Sequence, residues 1–146
     1  MKNKLISVIT PCYNEQYNIE DCYREVKKIF DKHLTKYNYE HIFTDNCSQD
    51  NTVEVLKKIA SKDPNVKIIV NSRNFGVFRS MFNAISRSSG DGVIPCLAAD
   101  LQDTPETIIE FIKYWEQGYK VVAGNRKERE ENIIMRNIRK VYYRIL

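Results

Sequence analysis

Val93-Ile94-Pro95-Cys96-Leu97-Ala98-Ala99-Asp100-Leu101-Gln102-Asp103-Thr104-Pro105-Glu106 is a short apolar run that ends abruptly in two carboxylates and an amide, after which Pro105 opens a helical pattern. It reads as a buried strand whose C-terminal end presents Asp100, Gln102 and Asp103. In open α/β sheets, ligands sit at that end. Oxygen ligands on a strand end suit a hard divalent cation that itself carries phosphate. A strand followed by an Asp/Thr helix cap accounts for the same residues. The rest of the chain decides between the two.

Upstream, Leu5–Thr10 is a β-branched apolar run closed by Pro11, as expected of a buried parallel strand. From Ile19, residues Cys22, Tyr23, Val26, Ile29, Phe30 and Leu34 recur at helical spacing, with Asn18 as the expected cap. Tyr39–Thr44 is a second strand, followed by the polar burst Asp45-Asn46-Cys47-Ser48-Gln49-Asp50-Asn51-Thr52 and a helix bearing Val53, Leu56, Ile59 and Ala60. Asp63-Pro64-Asn65 turns the chain into a third strand, Val66–Val70. The loop Asn71-Ser72-Arg73-Asn74-Phe75-Gly76 then feeds a helix from about Val77 to Arg87. Downstream of the opening stretch a helix carries Ile108, Ile109, Ile112 and Trp115 on one face and ends at Gly118, and Tyr119–Ala123 reads as a fifth strand.

Strands alternating with helices of this length mean repeated βαβ units: an α/β protein, three-layer α/β/α, with a mostly parallel central sheet. Parallel strands all end at one edge. The polar bursts after strands one (Asn14, Glu15), two (Asp45), three (Arg73, Asn74) and four (Asp100, Gln102) therefore share that edge. Helix caps alone do not require so many, which favours a site.

The totals narrow its chemistry. A chain of 146 residues, 42% hydrophobic and 29% charged, is long enough for one domain burying roughly 70% of its unfolded surface. No run approaches the roughly 20 apolar residues of a membrane span, and Pro11 and Asn14-Glu15 cut short any signal-like segment. Four cysteines without a C-x-x-C pair or a nearby His argue against zinc and for free thiols in a cytoplasmic setting. The net charge of +4 sits wholly beyond Asn125, where 7 basic residues face 3 acidic ones. There Ile133, Ile134, Ile138, Val141, Tyr142 and Ile145 alternate with Arg136, Arg139, Lys140 and Arg144 at helical spacing. That pattern fits an amphipathic helix over 130–146, lying either on anionic lipid or against its own domain. Charge confined to one helix, with no accompanying motif, argues against nucleic acid. There is no G-x-G-x-x-G after the first strand and no P-loop. A phosphorylation receiver would need acids after strand one, where the chain has Thr10-Pro11.

Five segments resemble, in order and spacing, the family 2 glycosyltransferases with the GT-A nucleotide-diphospho-sugar transferase fold, a Rossmann-like architecture. They are Ser7–Glu15, Phe43–Thr52, Ser72–Gly76, Ala99–Glu106 and Gly118–Arg126. The likeness is nearest to the polyprenyl-phosphate sugar transferases, the group of dolichyl-phosphate mannose synthase and bactoprenol glucosyltransferase. It implies an inverting transfer of a sugar from a UDP- or GDP-linked donor to a polyprenyl phosphate, in cell-envelope glycan synthesis. The enzyme would be peripheral at the cytoplasmic face of the membrane. Residues 1–129 would form the nucleotide-sugar domain and 130–146 the helix that precedes membrane segments in that group. A hydroxyl acceptor on a surface polysaccharide, or a silent nucleotide-sugar-binding module, are the alternatives, and a homo-oligomer is left open.

By position, the resemblance implies that Pro11, Tyr13, Glu15, Arg73, Asn74, Gly76 and Ala99 line the nucleotide-sugar pocket while Asp45 bonds the base. Asp100 and Gln102 would hold Mg²⁺ or Mn²⁺, and Arg126 and Arg129 would face phosphate. Asp103 is a candidate general base or a cap; a phosphate acceptor, already ionised, needs no base. Arg79 reads as a phosphate contact or a solvated surface residue, and His33 and His41 read as structural. The chain departs from the family pattern twice. Asn46-Cys47 replaces the usual Asp-Gly, and Ala98 stands at the first position of the D-x-D.

Overall fold

The computed structural model describes residues 3–124. Arg126, Arg129 and the expected helix over 130–146 lie outside the described residues.

Among the described residues eight elements alternate: β1 (Leu5–Cys12), α1 (Ile19–His33), β2 (Asn38–Asp45), α2 (Thr52–Ala60), β3 (Val66–Val70), α3 (Val77–Ile85), β4 (Gly92–Ile94) and α4 (Thr107–Glu116). The strands form one sheet in the order β3-β2-β1-β4, and every pairing is parallel. Side chains alternate across the sheet as a period of two demands. Val8, Phe43 and Val66 join α1, α2 and α4 in the larger core, with Ile19, Cys22, Leu56 and Ile108 fully buried. On the other face Ile9 and Ile42 pack with Ala84 of α3. The three-layer α/β/α expectation holds.

At the opposite edge from the loops discussed below, Glu40 is buried and accepts from Ser7 Oγ at 2.5 Å and from Ser89 N–H at 2.6 Å, besides pairing with Lys67. Burial alone would raise its pKa, yet the bonds from Lys67, Ser7 and Ser89 hold it below the usual carboxylate range. Gly90 N–H donates to Ser7 Oγ at 2.9 Å, and a Cβ on Gly90 would stand 2.7 Å from the Ser7 backbone nitrogen. Glycine therefore lets the chain enter β4 tight against β1.

Three expectations are corrected. The opening stretch is not a buried strand that carries Asp100 at its end: β4 spans three residues, pairs among the described residues with β1 alone, and leaves Val93 exposed. Pro95 has no N–H to extend the ladder. Past β4 the chain stays beside β1 through the bond from Leu97 N–H to Ile9 C=O at 2.9 Å, and Asp100 lies in a turn beyond the strand. Tyr119–Ala123 is not a strand. The Tyr119 ring stands edge-on to Tyr114, and with Val122 it lines a groove of about 290 Å³ against β4 and Trp115. Nor does Asn18 cap α1 through its side chain. Its backbone is already helical, at φ −102° and ψ −25°, and its amide donates instead to Glu15 Oε2 at 2.6 Å.

Candidate functional site

From β1 the chain winds through β2 to β3. Helix α3 then carries it back over the opposite face to β4, on the far side of β1. The winding reverses between β1 and β4, and a parallel sheet opens a ligand crevice at such a point. Pro11 widens it. Ile9 C=O faces β4 and Cys12 C=O faces β2, where it accepts from Asn46 N–H at 2.9 Å. By alternation the missing N–H of Pro11 falls on the β4 side, past the last ladder pair, Val8 with Ile94.

Each loop at this edge contains one residue in the left-handed region: Asn14 (φ 55°), Cys47 (φ 67°), Gly76 (φ 82°) and Leu101 (φ 56°). For non-glycine residues that conformation is disfavoured, and such strain concentrates at functional sites. The first two loops are laced together. Asn14 N–H donates to Ser48 Oγ and Gln49 N–H to Asn14 Oδ1, at 2.9 and 2.8 Å. Glu15 N–H donates to Thr52 Oγ1 at 2.8 Å, Gln16 N–H to Asp50 Oδ2 at 3.2 Å, and Asn51 N–H to Gln16 Oε1 at 3.0 Å. Burial opposes ionisation of Asp50, but bonds from Thr52 and Gln16 bring its pKa below the usual value.

A cavity of about 300 Å³ opens between these loops and α3, lined by Pro11, Cys12, Tyr13, Asn46, Asn74, Gly76 and Val77. Pro11, Tyr13, Asn74 and Gly76 of the expected nucleotide-sugar residues therefore converge. Burial, reinforced by the Asp45 charge, pushes the Cys12 thiol well up and keeps it neutral. Glu15 and Asp45 are not among the cavity's lining residues. Glu15 Oε2 accepts from Asn18, and buried Asp45 accepts from both Ser48 N–H, at 3.0 Å, and Ser48 Oγ. Arg73 is exposed, its guanidinium 4.7 Å from the Phe75 ring centre, and Ala99 is buried.

Asp100 and Gln102 are brought together and exposed. Asp100 Oδ2 accepts from Gln102 Nε2 at 2.8 Å and Oδ1 from Gln102 N–H at 3.2 Å. Among the described residues no group of three His, Cys, Asp or Glu is placed to hold a metal ion. One carboxylate with one amide oxygen still suits Mg²⁺ or Mn²⁺, which accept few protein ligands when phosphate and water supply the others. Asp103 is half-buried; with burial as the larger cause, its charge helps to raise the Cys96 thiol. The N-cap of α4, Glu106, makes no side-chain bond, and the first turn is closed by Thr107 N–H to Thr104 C=O at 3.0 Å. Arg79 is exposed on the first turn of α3. Free thiols are as expected, with Cys47 and Cys96 exposed and Cys12 and Cys22 buried.

Sequence reasoning misses the roles of Ser48, Asp50 and Thr52 in lacing the loops. Their only signal in sequence is the density of short polar residues after β2, which reads equally well as a helix cap.

The chain is 37% identical over 141 residues to an uncharacterised glycosyltransferase, YkcC, of Bacillus subtilis, matching 96% of this chain and 43% of that protein. It is 34% identical over 124 residues to the bactoprenol glucosyl transferase of Shigella phage SfV, matching 85% and 39%. It thus spans about two fifths of the length of these relatives. Among solved structures it is similar to the mannosyltransferase PcManGT of Pyrobaculum calidifontis in complex with GDP-Man and Mn²⁺. That match has a TM-score of 0.64 and 22% identity, over 78% of this chain and 33% of that one. S. aureus TarS in complex with UDP-GlcNAc gives a TM-score of 0.65 and 21% identity, over 86% and 38%. These neighbours show the fold: GT-A, with its parallel sheet and switch-point crevice. Residues 7–142 match the model of glycosyl transferase family 2, and to that family of enzymes this chain belongs.

Proposed function

We propose that the chain binds a nucleotide-diphosphate sugar in the Pro11–Tyr13–Asn74–Gly76 cavity and transfers the sugar, with inversion, to a polyprenyl phosphate at the cytoplasmic membrane face. The carrying observation is the convergence of those four residues beyond the C-terminal ends of β1, β2 and β3, with Asp100 and Gln102 paired on the turn that follows β4 at the same end of the sheet. Two relatives' names support the details. PcManGT is described with GDP-Man and Mn²⁺, and the phage protein as a bactoprenol glucosyl transferase.

In this reading Asp100 and Gln102 would hold Mg²⁺ or Mn²⁺, which when bound offsets charge on the departing nucleoside diphosphate. Tyr13, 41% exposed, offers the base an aromatic surface. Asn74 and Gly76 supply the wall opposite Pro11. A polyprenyl phosphate brings its own ionised oxygen to the anomeric carbon, so Asp103 need not act as a base. Arg126 and Arg129 are proposed to meet phosphate, and the basic segment that follows them to meet the anionic surface. Among the described residues no helix is long and apolar enough to cross a membrane.

Asp100→Asn should weaken binding of UDP-glucose or GDP-mannose at least tenfold when Mn²⁺ is present, measured by calorimetry with and without the ion. Equal wild-type affinity in both conditions removes the metal role. Ala98, at the first position of the metal motif, favours a second reading: a module that binds the donor without turning it over. Release of free nucleoside diphosphate in the presence of polyprenyl phosphate, but not of glycan acceptors, excludes that reading and the hydroxyl-acceptor one together.

A further inference from the structure

Asn46 lies where the family commonly carries an acid, and its amide is committed in both directions. Its Oδ1 accepts from Phe75 N–H at 3.0 Å, and its Nδ2 donates to Asn74 Oδ1 at 2.8 Å. Asn74 Oδ1 also accepts from Gly76 N–H at 2.9 Å. Two backbone N–H groups, each able only to donate, thus fix which way both amides point. Behind them, Asn71 Nδ2 reaches Asn46 Oδ1 at 3.4 Å and Ser80 Oγ at 2.9 Å, and Asn71 Oδ1 accepts from Asn83 Nδ2 at 2.9 Å. Ser80 Oγ in turn meets Thr44 Oγ1 at 2.9 Å. Asn46, Asn71, Ser80 and Thr44 are all buried. The network runs from the end of β2, through the loop after β3, into α3.

We infer that Asn46 is the positioning residue of the donor pocket: in this chain its amide, donating to Asn74 and accepting from Phe75, locks the Arg73–Gly76 loop into the cavity wall. The inference rests on the cavity's being the donor site. Chemistry supplies the asymmetry. An ionised aspartate in place of Asn46 could still accept from Phe75 but would set oxygen against Asn74 Oδ1. Asn74 could relieve the contact only by rotating its amide and abandoning Gly76 N–H. An aspartate in place of Asn74, by contrast, keeps both acceptor roles. In this chain the direction of each bond, rather than polarity in general, favours an amide at residue 46.

The test uses the full 146-residue chain and three variants: Asn46→Asp, Asn46→Leu (similar in shape, without charge) and Asn74→Asp. Amide hydrogen exchange at Phe75 and Gly76 is followed by NMR without ligand. Affinity for UDP-glucose, UDP-GlcNAc and GDP-mannose is followed by calorimetry well below each variant's melting temperature. Gly76 exchange should rise at least tenfold in both Asn46 variants and stay within threefold of wild type in Asn74→Asp. Donor affinity should fall at least tenfold in Asn46→Leu as well as in Asn46→Asp, whereas a purely structural role would move melting alone. Unchanged exchange in the Asn46 variants overturns the positioning role. Wild-type donor affinity in Asn46→Leu overturns its link to the pocket. A wild type that binds none of the three sugars sinks the donor-site reading instead, and the exchange data then judge the loop by themselves.

Discussion

Cys47 holds φ at +67° on an exposed turn, and its left-handed backbone puts the Cβ close to the neighbouring carbonyl. Glycine, with no Cβ, is at ease there, which gives a physical reason for the family's usual Gly at this place. Cys47→Gly should therefore raise stability by about 1 kcal/mol in denaturant unfolding, the relieved strain outweighing the added freedom of the unfolded chain. An unchanged midpoint would mean that the turn does not bear that strain. Leu101, at φ 56°, carries the same burden beside Asp100, where straightening the backbone would also move the carboxylate.

The two loops after β1 and β2 behave as one element because their polar groups bond across to each other as well as closing each helix start. Thr52 is the clearest case. Fully buried, its hydroxyl accepts from Glu15 N–H and donates to Asp50 Oδ1 at 2.6 Å. Thr52→Val keeps the shape and strands Glu15 N–H, so it should cost about 2 kcal/mol. Loss of only a few tenths would show that water replaces the bond. At this scale the sequence is legible where burial repeats. The apolar spacing of Cys22, Val26 and Ile29 marks α1, and Val66–Val70 matches β3 to the residue. Pro11 reads as a stop, whereas β1 runs on to Cys12, because its ladder with β4 has already ended. The polar side chains between the loops are illegible for a different reason. Asn14, Ser48 and Asp50 can each satisfy a local backbone group or a distant one, and no sequence spacing distinguishes the two.

For the whole molecule, acid is the informative perturbation. His41 is fully buried, with Nε2 2.9 Å from Thr10 Oγ1, its ring 4.0 Å from that of Phe43, and Nδ1 without a partner among the described residues. Burial lowers its pKa to about 3, far below the ordinary imidazole value near 6.5. A base held neutral by the fold gives full stability above its unfolded pKa. The unfolded chain then gains one extra proton as pH falls between the two values. From about pH 7 to pH 5 this should remove about 2 kcal/mol in denaturant unfolding. His41→Gln, which keeps a polar partner for Thr10, should flatten that dependence; an equal slope in both proteins would place the proton uptake elsewhere. The structure agrees with a structural role for His41. That it is also an acid liability is visible only once β1 and β2 close around it.

The brevity of β4 has a further consequence, for how copies of the protein meet. A sheet edge with free N–H and C=O groups invites strands from other molecules, and long flat edges lead to aggregation. Among the described residues β4 has one partner and offers an outer edge of three residues. Pro95 cuts it off next to the groove lined by Trp115 and Tyr119. The same proline that frees the Asp100 turn from the ladder thus also leaves a neighbouring chain too short a template to extend, so that the placement of that turn and colloidal good behaviour hang on one ring.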